Sequence, residues 1–329
     1  MLDVTILFLE GGHSSTAVGP MEVFGSAGVL WNALHGQERE PYFRVSTASI
    51  DGGPVHAEGP VRLIPEHAIS AIRKTDLILV PSGGLDIDSM ATRNAEAIAW
   101  MRKWRRKGAA IAGVCSGVAL LADSGLLDGK RATTHWALAE EYARRYPKVR
   151  WQPEYMVTED DNLFCCGGVN SALDLSLYLV EKYCGREVAM LCAKSLIIEM
   201  PRMWQSGFAV LPLQISHHDD AIRRAEEWIH GNWQQNVRID DLAARMGMSP
   251  RNFARRFKQA TGETPLGYLH ELRIAVAKRL LEDDYRTIQE VSSAVGYDDV
   301  AFFRNLFKRH TGASPSDYRR RFGRTIAAE

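Results

Sequence analysis

Two sets of residues in this chain have types and spacings suited to chemistry. The first centres on Cys115, which ends the apolar run Ala109 to Val114 and precedes Ser116-Gly117-Val118-Ala119-Leu120-Leu121-Ala122, a helix start. A strand–cysteine–helix turn lifts the thiol above a sheet and aims helix N–H groups at it, which lowers a thiol pKa. His135 follows twenty residues later in Thr133-Thr134-His135-Trp136, and Gly83-Gly84 offers backbone N–H groups to an oxyanion. These are the parts of a Cys–His acyl-transfer site. A cysteine after an apolar strand is, however, more often just a small buried residue.

The second set is cationic. Arg251, Asn252, Arg255, Arg256 and Lys258 form one group, in which Arg251 and Arg255, four apart, point together off one face of a helix. Val300, Ala301, Arg304, Asn305 and Lys308 form a second group. In a major groove Arg suits guanine and Asn suits adenine, each good bidentate contact being worth about 1–3 kcal/mol of discrimination. Lys258, Lys308 and Arg309 suit phosphates.

The cysteine site needs a sheet to hold it. Val4 to Leu9, Phe43 to Ala48, Leu77 to Val80 and Ala109 to Val114 read as strands. Runs apolar on both faces suit a buried parallel sheet. Asn94 to Lys107, with Ile98, Met101 and Trp104 at helical spacing, and Ser171 to Tyr183 read as helices. The alternation predicts a doubly wound α/β domain with its site at the carboxyl ends of the strands. Pro201, Gly207, Pro212 and His217-His218-Asp219-Asp220 mark a boundary. We expect a first domain over 1–205, a linker over 206–220 and a second domain over 221–325.

From Ala221 strand signals vanish, and a weak repeat appears. Leu242-Ala243-Ala244-Arg245-Met246-Gly247-Met248-Ser249 resembles Val291-Ser292-Ser293-Ala294-Val295-Gly296-Tyr297-Asp298. Phe253, Phe257, Lys258, Thr261-Gly262, Pro265 and Tyr268 then match Phe303, Phe307, Lys308, Thr311-Gly312, Pro315 and Tyr318. Each copy reads as helix, glycine turn, helix. Gly247 and Gly296 sit where a tight turn needs positive φ. Ser249 is a good N-cap with Pro250 in the first helical position, and Asp298 or Asp299 caps the second copy. Phe253, Phe257, Phe303 and Phe307 point inward and leave both cationic groups outside. Solvated surface explains any one of these arginines; it explains the recurring cap, glycine and aromatics poorly.

The chain has 329 residues, 46% hydrophobic and 24% charged, which excludes a disordered chain or fibrous repeat. Lys+Arg and Asp+Glu are both 40, which argues against a nucleic-acid binder until the chain is divided. Residues 1–218 hold 21 Lys and Arg against 24 Asp and Glu; residues 219–329 hold 19 against 16. From Arg245 to Lys258 there are five basic residues and no acid, and from Phe302 to Arg324 seven against Asp317 alone. The positive charge is concentrated in the repeat. Cys115, Cys165, Cys166, Cys184 and Cys192 form no CxxC pair, so neither disulfides nor a metal site are expected, and no cofactor is implied. The N-terminus lacks signal-peptide features and no stretch suits a membrane span, so a cytoplasmic protein is expected.

Residues 222–322, and above all the pattern from Gly296 through Phe303, Phe307-Lys308, Gly312, Pro315 and Tyr318-Arg319, resemble the AraC-type DNA-binding domain. The resemblance implies two recognition helices at the ends of a connecting helix, about Pro265 to Leu281, entering successive major grooves about one helical turn apart. Asp298-Asp299 departs from the commoner pattern, where serines are frequent.

Residues 1 to about 200 resemble the PfpI-type branch of the class I glutamine-amidotransferase-like superfamily. The matching features are Gly19-Pro20-Met21-Glu22-Val23-Phe24, Pro81-Ser82-Gly83-Gly84, Val114-Cys115-Ser116-Gly117, Ala132-Thr133-Thr134-His135-Trp136, and Gly168-Val169-Asn170 with Asp174. That branch implies a flavodoxin-like α/β fold. Two departures count against enzyme activity. Ser116 stands where proteases of the branch carry His, and Thr16 stands where many members carry an acid.

The two halves together resemble the GlxA family of transcriptional regulators. The resemblance implies an α/β sensor and dimerisation domain followed by an all-α reader with two helix-turn-helix units. The expected protein is a sequence-specific regulator, an activator, that binds double-stranded DNA as a homodimer, contacts RNA polymerase and senses a small metabolite such as an amino acid or amine catabolite. The expected ligand pocket comprises Glu10, Gly11, Gly83, Gly84, Cys115, Ser116, His135, Trp136 and Asn170, with Cys115 and His135 as vestiges of catalysis. The expected DNA contacts are Arg251, Asn252, Arg255, Arg256, Lys258, Val300, Ala301, Arg304, Asn305 and Lys308. The rival readings are a Cys-dependent hydrolase or hydratase with an appended DNA-binding domain, and a degenerate dimerisation domain without a ligand.

Overall fold

A computed structural model describes residues 1–201, 205, 208, 217, 219–235, 237–283 and 286–323. Most of the expected linker, including Gly207, Pro212 and His218, lies outside the described residues, as does Arg324. The chain divides into two units, Met1–Gln205 and Ser206–Glu329.

The first unit is built on a main sheet of seven strands: β1 (Leu2–Leu7), β2 (Phe43–Ser49), β3 (His67–Ala68), β4 (Leu77–Val80), β5 (Ala110–Val114), β6 (Val157–Asp160) and β7 (Leu163–Cys166). Their order is β6-β7-β5-β4-β1-β2-β3. All pairings are parallel except β6 with β7 at the edge. Its helices include α1 (Ser15–Ser26), α2 (Ala95–Arg106), α3 (Val118–Asp123), α4 (Ser171–Cys184) and α5 (Arg186–Leu196). Alternate strand residues enter different cores. Val4, Leu77, Leu79, Ala110 and Ala112 pack with Val23 and Phe24 of α1 and Leu175 and Leu179 of α4. Ile78, Val80 and Ile111 pack with Trp100, Met101 and Trp104 of α2 and Leu120 and Leu121 of α3. Helices cover both faces of the sheet, which is why the strands read as continuous apolar runs.

The structure departs from these readings at several points. The first strand ends at Leu7, although Phe8 and Leu9 remain buried. The helix expected over Asn94 to Lys107 begins after Asn94, which is the junction with a separate short helix over Ile87–Arg93. The antiparallel edge pair, turning at Asp161 and Asn162 with φ near +53°, escaped the strand pattern.

The second unit is helical throughout its described length: α6 (Asp220–Asn232), α7 (Ile239–Arg245), α8 (Pro250–Thr261), α9 (Pro265–Asp283), α10 (Ile288–Ala294), α11 (Val300–Thr311) and α12 (Pro315–Phe322). The turn glycines Gly247 and Gly296 have φ of +71° and +81°, as the two tight turns require. Each copy has its own core. Phe253 and Phe257 pack with Ile229, Leu242, Tyr268 and Leu272; Phe303 and Phe307 pack with Ile274, Leu281, Val291 and Tyr318. The connecting helix α9 serves both cores, and Trp233 packs against each.

Arg273, 7% exposed, fastens the copies together from the middle of α9. Its guanidinium donates to the carbonyls of Trp233 (2.8 Å) and Gln235 (2.7 Å) on the first copy's side and of Gly296 (3.1 Å) in the second copy's turn. Its guanidinium carbon lies 4.8 Å from the Tyr297 ring centroid. Among the described residues no helix is long and apolar enough to cross a membrane.

Candidate ligand pocket and nucleic-acid interface

β5 delivers Cys115 into a left-handed conformation, φ +53°, which is costly for a residue with a Cβ. Cys115–Gly117 then form one tight turn before α3. The strand-to-helix elbow expected from the sequence is therefore present. The thiol pKa moves the other way from expectation. Cys115 is 6% exposed, and burial pushes its pKa up to about 11, only partly offset by the Ser116 N–H. Desolvation of the thiolate outweighs the helix dipoles at this depth.

The groups around the elbow are satisfied by one another. The Gly83 N–H, a candidate oxyanion donor, donates to Ser116 Oγ at 3.2 Å. Tyr142 Oη donates to the Ser116 carbonyl at 3.0 Å, and Thr134 Oγ1 to the Cys115 carbonyl at 3.0 Å. Thr16 donates to the His13 carbonyl at 2.6 Å and accepts from the Ser82 N–H at 3.1 Å, so it braces the turn after β4. His135 Nδ1 accepts from the Ala137 N–H at 3.1 Å, leaving its proton on Nε2, and partial burial lowers its pKa. Among the described residues no hydrogen bond joins Cys115 to His135.

The expected pocket residues fall into three groups. Gly11, Gly83, Gly84, Cys115 and Ser116 gather at the strand ends; a Cβ on Gly84 would lie 3.0 Å from the Gly11 carbonyl. His135 and Trp136 form a second edge, tied to the first through Thr134 and Cys115. Glu10 and Asn170 are peripheral. Glu10 is exposed and faces His56 at 3.8 Å, and Asn170 is exposed at the start of α4 without a capping side-chain bond.

Gln205 is the residue that sequence reasoning missed. It is 2% exposed and lies beside Trp136, with its Nε2 bonded to Thr133 and to the carbonyls of Thr134 and Tyr155. Its partners lie 50–72 residues earlier, so no local pattern announces it. Gly167 makes room: a Cβ there would overlap the Gln205 carboxamide.

The second site lies on α8 and α11. Ser249 caps α8 by accepting from the Asn252 N–H at 3.4 Å, and Pro250 occupies the first turn. Phe253 and Phe257 are fully buried, which leaves Arg251, Arg255 and Lys258 exposed. Arg255 donates to Asn252 Oδ1 at 3.0 Å, so the two form a joint polar surface. Arg256 corrects the expectation. It is half-buried and binds Asp219 through two hydrogen bonds of 2.7 and 3.0 Å. Asp219 also caps α6 through the Ile222 N–H, so Arg256 fastens α8 to α6 and does not face outward freely.

On α11, Asp299 is the cap, accepting from the N–H groups of Ala301 (2.8 Å) and Phe302 (3.0 Å). Ala301, Arg304, Asn305 and Lys308 are exposed and Val300 is half-buried. Among the described residues Arg251, Lys258, Arg304 and Lys308 have no ion-pair partner, which leaves their charges available. Phe302, 46% exposed, was not expected at the surface; its ring lies 6.1 Å from His270 and 5.6 Å from Tyr297.

Comparison with known proteins gives separate matches in the two parts of the chain. The DJ-1/PfpI family matches residues 4–182, and a helix-turn-helix domain matches residues 242–321. The HTH-type transcriptional regulator CdhR of Pseudomonas aeruginosa is 26% identical over 281 residues, 84% of this chain and 82% of its own. The HTH-type transcriptional regulator GlxA of Rhizobium meliloti is 26% identical over 286 residues, 86% of this chain and 87% of its own. A solved structure of an AraC family transcriptional regulator from Pseudomonas putida superposes with a TM-score of 0.51 and 24% identity, over 60% of this chain and all of that one. That likeness is one of fold.

Proposed function

The chain belongs to the DJ-1/PfpI family and carries a helix-turn-helix domain behind that fold; from this premise we propose that it is a sequence-specific, DNA-binding transcriptional regulator. The observation that carries the reading is the doubled helix-turn-helix, whose two reading helices bury Phe253, Phe257, Phe303 and Phe307 and expose Arg251, Arg255, Lys258, Arg304, Asn305 and Lys308. Arg251, Asn252 and Arg255 read base edges; Lys258 and Lys308 hold phosphates. The names of the relatives CdhR and GlxA support the same reading. Footprinting on the chain's own promoter tests it: a protected site is expected, with affinity falling steeply as salt rises. Absence of any protected site overturns the assignment.

In this proposal residues 1–205 form the sensor and 221–325 the reader, joined by 206–220. The sensor takes a small metabolite at the strand ends, of the class of amino acids or amine catabolites. Its binding biases the regulator between two states, which requires different affinities for each. The regulator acts as an activator, as a homodimer in the cytoplasm, in contact with RNA polymerase.

The α/β unit is a sensor and not an enzyme in this reading. A thiol near 11 and a Gly83 N–H already bonded to Ser116 oppose acyl transfer. At pH 8 Cys115 should hold about 100-fold less thiolate than an ordinary cysteine. Iodoacetamide labelling with peptide mapping is expected to show slow modification of Cys115, and Cys115→Ala is expected to retain operator binding. Rapid labelling, or turnover that Cys115→Ala abolishes, favours the hydrolase.

A further inference from the structure

We propose that the pocket beside His135 and Trp136 is a receptor for a primary carboxamide, filled in this structure by the chain's own Gln205, and that the effector is a small molecule bearing that group. The proposal deepens the sensing role given to the α/β unit and rests on it.

The chemistry of the seat is specific. Gln205 Nε2 donates to the Thr134 carbonyl (2.7 Å), to Thr133 Oγ1 (3.0 Å) and to the Tyr155 carbonyl (3.1 Å). Thr133 Oγ1 has given its own proton to the Tyr155 carbonyl at 3.0 Å, so it turns a lone pair to the nitrogen. Gln205 Oε1 accepts from the Trp136 N–H at 3.3 Å. The two N–H donors of the nitrogen are shared among three acceptors and the oxygen meets one donor, which suits a carboxamide on both atoms. A carboxylate would set a charged oxygen against two carbonyls. An ammonium would leave the Trp136 N–H unpaired, and an apolar group would satisfy none of the four.

The seat belongs to the ligand pocket. Thr134 spans the two groups of pocket residues, because its carbonyl holds Gln205 while its hydroxyl holds the Cys115 carbonyl. Gly167 and Gly168 line the floor: a Cβ on the first would overlap the carboxamide, and one on the second would lie 3.1 Å from the His135 ring. Gln205 is the last residue of the first unit, so its side chain fixes the point at which the chain leaves that unit. A free carboxamide taking the same four bonds would displace Gln205 and release that point. Occupancy of the pocket and tethering of the chain are then alternatives, which supplies the differential affinity that regulation needs.

The test uses the full chain with Gln205→Ala, which vacates the seat, and Gln205→Asn, which withdraws the group by one methylene and disturbs folding less. Propionamide, the free equivalent of the glutamine side chain, is the probe; propionate and N,N-dimethylpropionamide are the controls. In either variant propionamide at tenfold above its Kd is expected to raise the melting temperature by about 3 °C, with a smaller rise in the unmodified chain, where Gln205 competes. The two controls are expected to give no shift. Equal shifts from propionate, or none from propionamide in both variants, overturn the proposal. A non-amide metabolite that alters operator binding while propionamide is silent overturns the carboxamide assignment and leaves sensing intact. Propionamide binding with no metabolite altering operator binding supports the receptor and removes the sensing role.

Discussion

The two helix-turn-helix copies share a scaffold and differ at the surface they would present to DNA. Both have a positive-φ turn glycine, a pair of buried phenylalanines four apart, and a threonine that bonds the carbonyl four residues back, Thr261 to Phe257 and Thr311 to Phe307. The first reading helix starts from neutral Ser249 and shows Arg251, Asn252 and Arg255. The second starts from the Asp299 carboxylate and shows Val300, Ala301 and Phe302 before Arg304 and Asn305. Donors dominate the first; an apolar turn behind an acid leads the second, and such a turn suits a thymine methyl group. A fold can thus be duplicated while its readout is not: the core and turns are fixed by packing, and the outward positions are free to diverge.

This asymmetry can be broken most forcefully on the first copy. Replacing Arg251 and Arg255 with alanine together should weaken operator binding by at least about 30-fold in a filter or anisotropy titration. Arg304→Ala with Asn305→Ala should cost about tenfold. Equal losses from the two pairs would mean that the copies read DNA alike.

Asp299→Ser sharpens the comparison from the other side. Serine keeps a cap, so helix stability should change by about 0.5 kcal/mol or less, while loss of a carboxylate facing phosphates should raise DNA affinity several-fold at low salt. The gain should vanish at high salt; an unchanged affinity at low salt would place Asp299 away from the backbone.

A smaller effect separates Arg256 from its neighbours. Because Asp219 holds it, Arg256→Ala should cost fold stability, and a double-mutant cycle with Asp219→Ala should give a coupling of about 0.5–1 kcal/mol in urea unfolding. Additive single effects would return Arg256 to the DNA-contacting set.

A further effect is in pH. His270 on α9 faces the second copy, where burial and the nearby positive charges of His310, Arg273 and Arg309 lower its pKa from 6.5 to about 4. As pH falls from 6.5 towards 4, the unfolded chain takes up this proton before the folded one does. Stability is therefore complete above about 6.5 and declines towards 4. Denaturant melts at pH 7.5 and pH 5 should show a shallower decline in His270→Gln, and parallel declines would assign the pH dependence elsewhere.

Much of this architecture could be read from residue order. Leu77 to Val80 is a strand over the expected residues because helices cover both its faces, and the caps and glycines of the repeat state their geometry locally. The edge pair could not be read, since Val157–Asp160 is half-polar and its partner holds Cys165 and Cys166, which signal chemistry as readily as packing. The elbow at Cys115 was visible, but the direction of its pKa depends on tertiary burial that no neighbouring residue encodes. Arg256 looked like its neighbours because Asp219 is 37 residues away. Gln205 was invisible for the same reason.

Arg273 bears on the DNA as much as on the protein. With one guanidinium bonded to Trp233, Gln235 and Gly296, the two copies are held to one another through α9. An operator matched to this body has a fixed phase. One inserted base pair between the two contacted grooves would rotate the second by about 35° about the axis, and the protein could not follow. Such an operator should tolerate a changed base far better than a changed length, and its two half-sites should behave in evolution as a single word with no adjustable space.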